Sequence, residues 1–219
     1  MYGMTFDAIA PVYDLLVRLV FGRQLQRAQT TLLRSVILPN RAASILIVGG
    51  GTGFLLIEVM KNFPGCRILH LEASAAMNRR AVRRLIRRAV VDVVPTIVEF
   101  RTGNETALRS GDQFDLILLP FVLDLFTDTT LKTHFLPRLR PVTAPGGRWL
   151  VTDFVNSPVW YHRALLWVMF RFFRLAARIE AQQLPAWQQL LAEAGFRQEI
   201  KIEQPNKLVT SLLLCQLPE

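Results

Sequence analysis

The sequence predicts an α/β fold, a doubly wound and mostly parallel seven-stranded sheet with helices on both faces and an antiparallel last strand. Three observations point there. Short β-branched runs alternate with helical periodicity along most of the 219 residues, which is the pattern of a parallel sheet covered on both sides. The run Ser44-Ile45-Leu46-Ile47-Val48 is β-branched and meets glycines at once, as a strand buried on both faces does. The last two apolar runs have no helix between them, so they are expected to pair antiparallel.

Taken in order, Ala10 to Leu38 has helical spacing, with Pro11 near its start and Pro39 after its end. The first strand, Ser44 to Val48, leads through glycines into a helix from Phe54 to Asn62 that ends near Pro64 and Gly65. Arg67 to Leu71 reads as the second strand and Ser74 to Ala89 as the helix behind it. Thr96 to Arg101 and the very apolar Phe114 to Leu119 are strands three and four. A helix over Thr130 to Leu139 precedes the Pro145-Gly146-Gly147 turn and a strand over Arg148 to Phe154. Val159 to Arg178 reads as one helix inside an insertion, Asn156 to Leu184. Ala186 to Ala194 is a helix with Pro185 before it and Gly195 after it. Phe196 to Ile202 and Leu208 to Leu214 close the chain. One domain over 1–219 is expected, with a helical cap over 1–40 and a helical lid over 156–184.

Half the residues are hydrophobic, ample for a buried core. Cys66 and Cys215 lie far apart with no His cluster, which argues against a disulfide framework or a metal site and makes a reducing cytoplasm the expectation. Met1 to Asp14 lacks the basic and apolar regions of a secretory signal, and no run of about 20 residues is apolar enough to span a bilayer. The formal charge of +9 is compatible with nucleic acid, an anionic membrane surface or an acidic ligand, and charge alone does not choose.

The informative segment is Ile45 to Phe54. Gly49, Gly51 and Gly53 recur at spacing two between a buried strand and a helix. Such turns often need positive φ, and only a residue without Cβ lets a ligand approach the backbone closely. The helix start beyond them offers free N–H groups to an anionic group. The dinucleotide fingerprint wants glycine or alanine at position 54, where this chain has Phe54. The spacing instead resembles motif I of the class I S-adenosylmethionine (SAM)-dependent methyltransferases, a Rossmann-like family whose loop wraps the methionine end of SAM.

Further residues carry the same resemblance. Glu72 ends the second strand about twenty residues on, where a carboxylate can accept both ribose hydroxyls; its alternative is a helix N-terminal acid beside a capping Ser74. Gly103-Asn104-Glu105 resembles the segment that contacts adenine, with Asn104 in place of the usual acid. Phe114-Asp115, Pro120, Pro145-Gly146-Gly147 and Ala194-Gly195-Phe196 resemble family motifs in the family's order. The resemblance implies SAM as cofactor, held by Gly49, Gly51, Gly53, Glu72, Asn104 and Pro120. Two positions depart from it. Ile47 stands where motif I usually has an acid that orders the loop, and Gly50 stands where a cysteine or small residue is common.

Methyl transfer from a sulfonium needs an acceptor held in line and water excluded; it requires neither a metal nor a covalent nucleophile. An oxygen or nitrogen acceptor calls for a base. The candidates are His162, which follows Trp160 and Tyr161 in the lid; Asp124, at the carboxyl edge of the sheet; and Tyr13. His134, on a flanking helix, reads as a surface or packing residue, and His70, inside a strand, as structural.

The opening Phe6-Asp7-Ala8-Ile9-Ala10-Pro11-Val12-Tyr13-Asp14 resembles that of the ubiquinone/menaquinone-biosynthesis methyltransferases, where it helps cover the cofactor. Val122-Leu123-Asp124-Leu125 departs from that group's Gly-Leu-Arg-Asn. In the lid, Arg163, Arg171, Arg174 and Arg178 share a narrow arc, with Trp160, Leu166, Trp167, Phe170 and Phe173 around the rest. That helix reads as an interfacial helix on an anionic membrane, a cap on a lipophilic acceptor pocket, or an ordinary packed lid. A second basic cluster, Arg79, Arg80, Arg83, Arg84, Arg87 and Arg88, lies opposite Met77, Ala81, Val82, Leu85, Ile86 and Ala89 and reads as a solvated face. The sequence shows neither an appended RNA-binding module nor aromatics interleaved with that cluster, which argues against nucleic acid. The expected activity is SAM-dependent methylation of a small, largely apolar, quinol- or phenol-like acceptor. The alternative is a non-catalytic SAM-fold binding or membrane-peripheral protein.

Overall fold

Each central strand divides its side chains between two cores, and that division sets the architecture. In β1 (Ser44–Val48), Leu46 and Val48 enter one apolar cluster while Ile45 and Ile47 enter another. The same alternation runs through β2 (Arg67–Glu72), β4 (Phe114–Pro120), β5 (Thr143–Phe154) and β7 (Val209–Gln216), as period-2 geometry requires of a sheet covered on both faces. The computed structural model describes residues 7, 10–11, 13–38, 42–88, 96–205 and 207–217.

With β3 (Ile97–Thr102) and β6 (Phe196–Glu203), the seven strands lie in the order β3-β2-β1-β4-β5-β7-β6. β1 pairs in parallel with β2 and β4, β2 with β3, and β4 with β5; β7 runs antiparallel to both of its neighbours. This is the sheet that the sequence predicts. Asp115 Oδ2 accepts the Ser44 amide at 2.8 Å, fixing where β1 starts beside β4.

α1 (Tyr13–Phe21), α2 (Gln24–Thr31) and α3 (Phe54–Asn62) precede or follow β1; α4 (Ala75–Arg88) follows β2. α5 (Asp128–Thr130) and α6 (Leu136–Leu139) lie between β4 and β5, and α7 (Trp160–Ala177) and α8 (Trp187–Glu193) lie between β5 and β6. Leu32, Leu55, Leu56 and Val59 cover one face of the sheet; Leu131, Phe135, Leu139, Trp187 and Leu191 cover the other.

Four local features differ from the sequence expectation. The single helix expected over Ala10 to Leu38 is broken at Gly22, which takes φ +58° and donates its amide to the Arg18 carbonyl at 2.9 Å, ending α1. A wide turn at Leu131–Phe135, with the Leu136 amide bonded to the Leu131 carbonyl, carries the helix up to Pro137, which lacks an N–H. β5 starts at Thr143, ahead of the Pro145-Gly146-Gly147 turn, because those residues form a bulge between the Phe114–Thr143 and Leu116–Arg148 pairs. Ile86 of α4 is exposed, not buried. Ala89, Pro39, and Phe6, Ala8, Ile9 and Val12 of the opening segment lie outside the described residues.

Candidate functional site

The chain runs outward from β1 to β3, then returns to place β4 on the other side of β1. Loops at the carboxyl ends of β1 and β4 therefore diverge, which leaves a crevice in doubly wound sheets. A cavity of about 400 Å³ occupies it, walled by the glycine loop, Glu72, Asn104 and Pro120, with Tyr13, Leu25, Gln26 and Gln29 from the N-terminal helices.

The loop glycines have separate roles. Gly49 (φ +63°) and Gly51 (φ +56°) line the cavity in the left-handed region that side chains disfavour. A Cβ at Gly49 would meet Val122 Cγ2 at 2.5 Å, whereas one at Gly51 would point into open space. Gly53 (φ +81°) is not in the cavity wall; it starts α3, and a Cβ there would lie 2.9 Å from Ala81 Cα of α4. Its part is close helix packing. A Cβ at Gly50 would collide with the His70 ring. The glycine at the position where related loops carry a larger residue thus matches the histidine beneath it.

His70 is fully buried, and burial lowers its pKa, so the ring is neutral at neutral pH. Asn78 donates through Nδ2 to Thr102 Oγ1 at 2.9 Å and sets its Oδ1 3.1 Å from His70 Nδ1. Ile47, the register partner of His70, is buried in the core rather than in the cavity wall.

Glu72 closes the loop onto β2. Its Oε2 accepts the Gly51 amide at 2.8 Å and its Oε1 the Ser74 amide at 2.9 Å. Burial raises its pKa, and those two amides pull it back. A carboxylate has about four lone-pair sites, so two bonds leave capacity for a ligand. Ser74 Oγ caps the start of α4 by accepting the Met77 amide at 3.0 Å. Both readings of Glu72, cavity acid and helix-start acid, therefore meet in one side chain. Asp7, which the sequence left inside a covering segment, takes the Ser74 hydroxyl at 2.6 Å and the Ala76 amide at 2.9 Å. This bond pair ties Asp7 to the start of α4.

Asn104 lines the cavity while its Oδ1 accepts from Thr106 N at 3.2 Å and Thr106 Oγ1 at 2.6 Å. Glu105 is buried in the same wall; burial raises its pKa, and Arg138 and His134 oppose that rise.

At the β4 end, Pro120, Phe121 and Val122 line the cavity. Phe121 takes φ +55° and donates its amide to the Thr152 carbonyl at 2.7 Å. A bulky residue held there costs on the order of 1–3 kcal/mol, so neighbouring bonds must enforce it. Asp153 does so. Its Oδ2 accepts the amides of Val122, Leu123 and Asp124 at 3.2, 2.8 and 3.3 Å, and its Oδ1 that of Phe154 at 2.7 Å.

Of the three candidate bases, only Tyr13 lines the cavity. Asp124 is turned away from it and buried; burial and the nearby Asp153 charge push its pKa well up. Asp153 collects four amide donors, which favour the charge on Asp153 and the proton on Asp124. His162 is buried with Nδ1 2.8 Å from Ser157 Oγ, at the start of α7 and outside the wall. His134 is exposed. Sequence reasoning missed Asp153, Phe121, Gln26 and Gln29. The only available signal for Asp153 was an acid closing an apolar strand at the sheet's carboxyl edge.

Comparison with known proteins adds four likenesses. Residues 46–149 match the family described as Methyltransferase domain. The ubiquinone/menaquinone biosynthesis C-methyltransferase of Paracoccus denitrificans is 26% identical over 155 residues, 70% of this chain and 59% of that one. The chain thus spans about three-fifths of that relative's length. The structure of mitomycin 7-O-methyltransferase superposes with a TM-score of 0.69 at 21% identity, covering 98% of this chain and 61% of that one. Human N-acetylserotonin methyltransferase in complex with SAM gives 0.59 at 20% identity, over 95% and 60%. Strand order, the lone antiparallel strand and these superpositions agree: the chain has the class I SAM-dependent methyltransferase fold.

Proposed function

We propose that the cavity binds SAM and that the chain transfers its methyl group to a small, largely apolar acceptor, quinol- or phenol-like, at oxygen or carbon. The observation that carries this reading is the Glu72 carboxylate, which anchors Gly51 and has lone pairs left for the hydroxyls of a ribose. A volume of about 400 Å³ falls in the range of small-molecule sites, roughly 300–1,000 Å³. The backbone of Gly49 and Gly51 would flank the amino-acid end, and Asn104 and Glu105 the base. Bound there, SAM supplies an electrophilic methyl group on sulfur with a neutral thioether as leaving group.

The chain's own residues bind, orient and exclude water. Leu25, Phe121, Leu125 and Phe126 are apolar residues of the cavity wall, suited to an aromatic acceptor and poor for a charged one. Tyr13, Gln26 and Gln29 are polar groups on that wall, and Tyr13 is the one titratable side chain among them. Holding two reactants in line can contribute roughly 7–11 kcal/mol, enough for catalysis without a strong base. The names of the related enzymes, a quinone-pathway C-methyltransferase and an O-methyltransferase of mitomycin, support the acceptor class.

The test is incubation with methyl-labelled SAM and a panel of catechols and hydroxyquinols, followed by organic extraction. Label in an extracted phenol or quinol is the expected result. SAM binding with label only in nucleic acid or protein would contradict the acceptor class.

A further inference from the structure

α7 has two faces of opposite use. Leu166, Met169, Phe170 and Ala177 pack inward in one cluster with Leu25, Ala28 and Phe154. At 100° per residue, the outward face carries Trp160, Trp167, Val168, Phe172 and Leu175, with Trp160 76% and Leu175 87% exposed. Arg163, Arg171 and Arg174 are exposed on the side of that face shared with Trp160 and Trp167, and the Arg171 guanidinium lies 5.2 Å from the Trp167 ring centre. The inner cluster includes Phe121 and Leu125, which also wall the cavity. α1 reaches the same cluster through Phe21 and leaves Leu15, Leu19 and Val20 exposed.

Charge decides what covers this face. A second copy would set a chain of net charge +9 and an arginine edge against its own image, since a two-fold contact is self-complementary. An anionic bilayer complements both halves: arginines reach phosphate, tryptophans sit at headgroup depth, and aliphatic side chains enter the acyl boundary. Among the described residues no helix is long and apolar enough to cross a membrane, so the contact is interfacial. We propose that the outer face of α7 docks on an anionic phospholipid surface. The docking stands without the methyl-transfer reading; only its purpose, bringing a lipophilic acceptor to the cavity, rests on it.

The full chain, without SAM or acceptor, is mixed with phosphatidylcholine vesicles with and without one part in about three of phosphatidylglycerol. Sedimentation with the anionic vesicles alone is expected, with tryptophan emission quenched by brominated acyl chains; Trp149 and Trp187 are buried already, so Trp160 and Trp167 report. The combined variant Arg163→Glu, Arg171→Glu, Arg174→Glu should weaken binding about tenfold or more. The variant Arg79→Glu, Arg83→Glu, Arg87→Glu in α4 changes net charge equally and should retain most of it. Trp167→Ser with Leu175→Ser, both at exposed positions, should abolish the quenching while leaving circular dichroism unchanged. Equal loss in the two charge variants, no binding at low salt, or a dimer that the Trp167→Ser, Leu175→Ser variant dissolves would overturn the proposal. Because no methyl group is involved, failure here leaves the SAM reading standing, and failure of that reading leaves this one.

Discussion

Glu72 Oε2 lies 2.8 Å from the amide of Gly51, so the end of β2 and the loop after β1 are held by one charge-assisted bond. Two strands paired in parallel thereby fix the geometry of a loop that neither contains.

Glu72→Gln keeps an acceptor for one amide and removes the charge. Bonds to a charged group contribute about 1.5–3 kcal/mol, so affinity for S-adenosylhomocysteine should fall roughly ten- to a hundredfold. Calorimetry gives the affinity, and a thermal melt within a few degrees of the wild type shows that the loss is not unfolding.

Gly50→Ala drives a methyl group into the His70 ring. Overpacking of this kind costs about 1–3 kcal/mol. His70→Ala makes room, so the double variant should be more stable than the sum of the single effects, by an amount in the range of roughly 0.5–3 kcal/mol. Urea unfolding of the four proteins measures it. Additive effects would show that the two residues do not touch.

Asp124 and Asp153 set a pH dependence. Burial raises both pKa values above the ordinary 3.8, Asp153 to about 7, and the Asp153 charge raises Asp124 further. A carboxyl that binds its proton more tightly when folded contributes fully below its unfolded pKa. That contribution is lost as pH rises from about 4 through the raised folded value. Each pH unit in that window is worth about 1.4 kcal/mol. Asp124→Asn supplies the donor permanently, so its stability should match the wild type near pH 4 and exceed it at pH 8. Melting curves across that range test this, and an unchanged difference would argue against a shared proton.

Asp7→Ala removes the bonds to Ser74 and Ala76. Asp7 is exposed, so the melting temperature should change little. Release of S-adenosylhomocysteine should quicken several-fold if the opening segment covers the ligand, and stopped-flow displacement reads that rate.

Much of the sheet was legible in sequence because buried parallel strands have a composition of their own. Ser44–Val48 was read to the residue. The first helix was not, because Gly22 inside helical spacing gives no sign that it takes a left-handed φ. Gly49, Gly51, Glu72, Asn104 and Pro120 were legible as a group, since strand ends at a switch point converge by topology. Of the acid–base candidates, Tyr13 reaches the cavity wall and the other two do not. His162 and Asp124 face inward because of how α7 and the segment after β4 are rotated, and contacts far along the chain set those rotations: the α7 cluster for one and Asp153 for the other. Gly50 likewise makes sense only beside His70, twenty positions on.

The most direct measurement is a calorimetric titration of the chain with S-adenosylhomocysteine beside Glu72→Ala. A single-site isotherm that Glu72→Ala weakens at least about tenfold is the expected result. No heat from a protein whose circular dichroism and melting are intact would mean that the cavity at the β1–β4 switch does not hold this cofactor, and the fold would then serve another ligand.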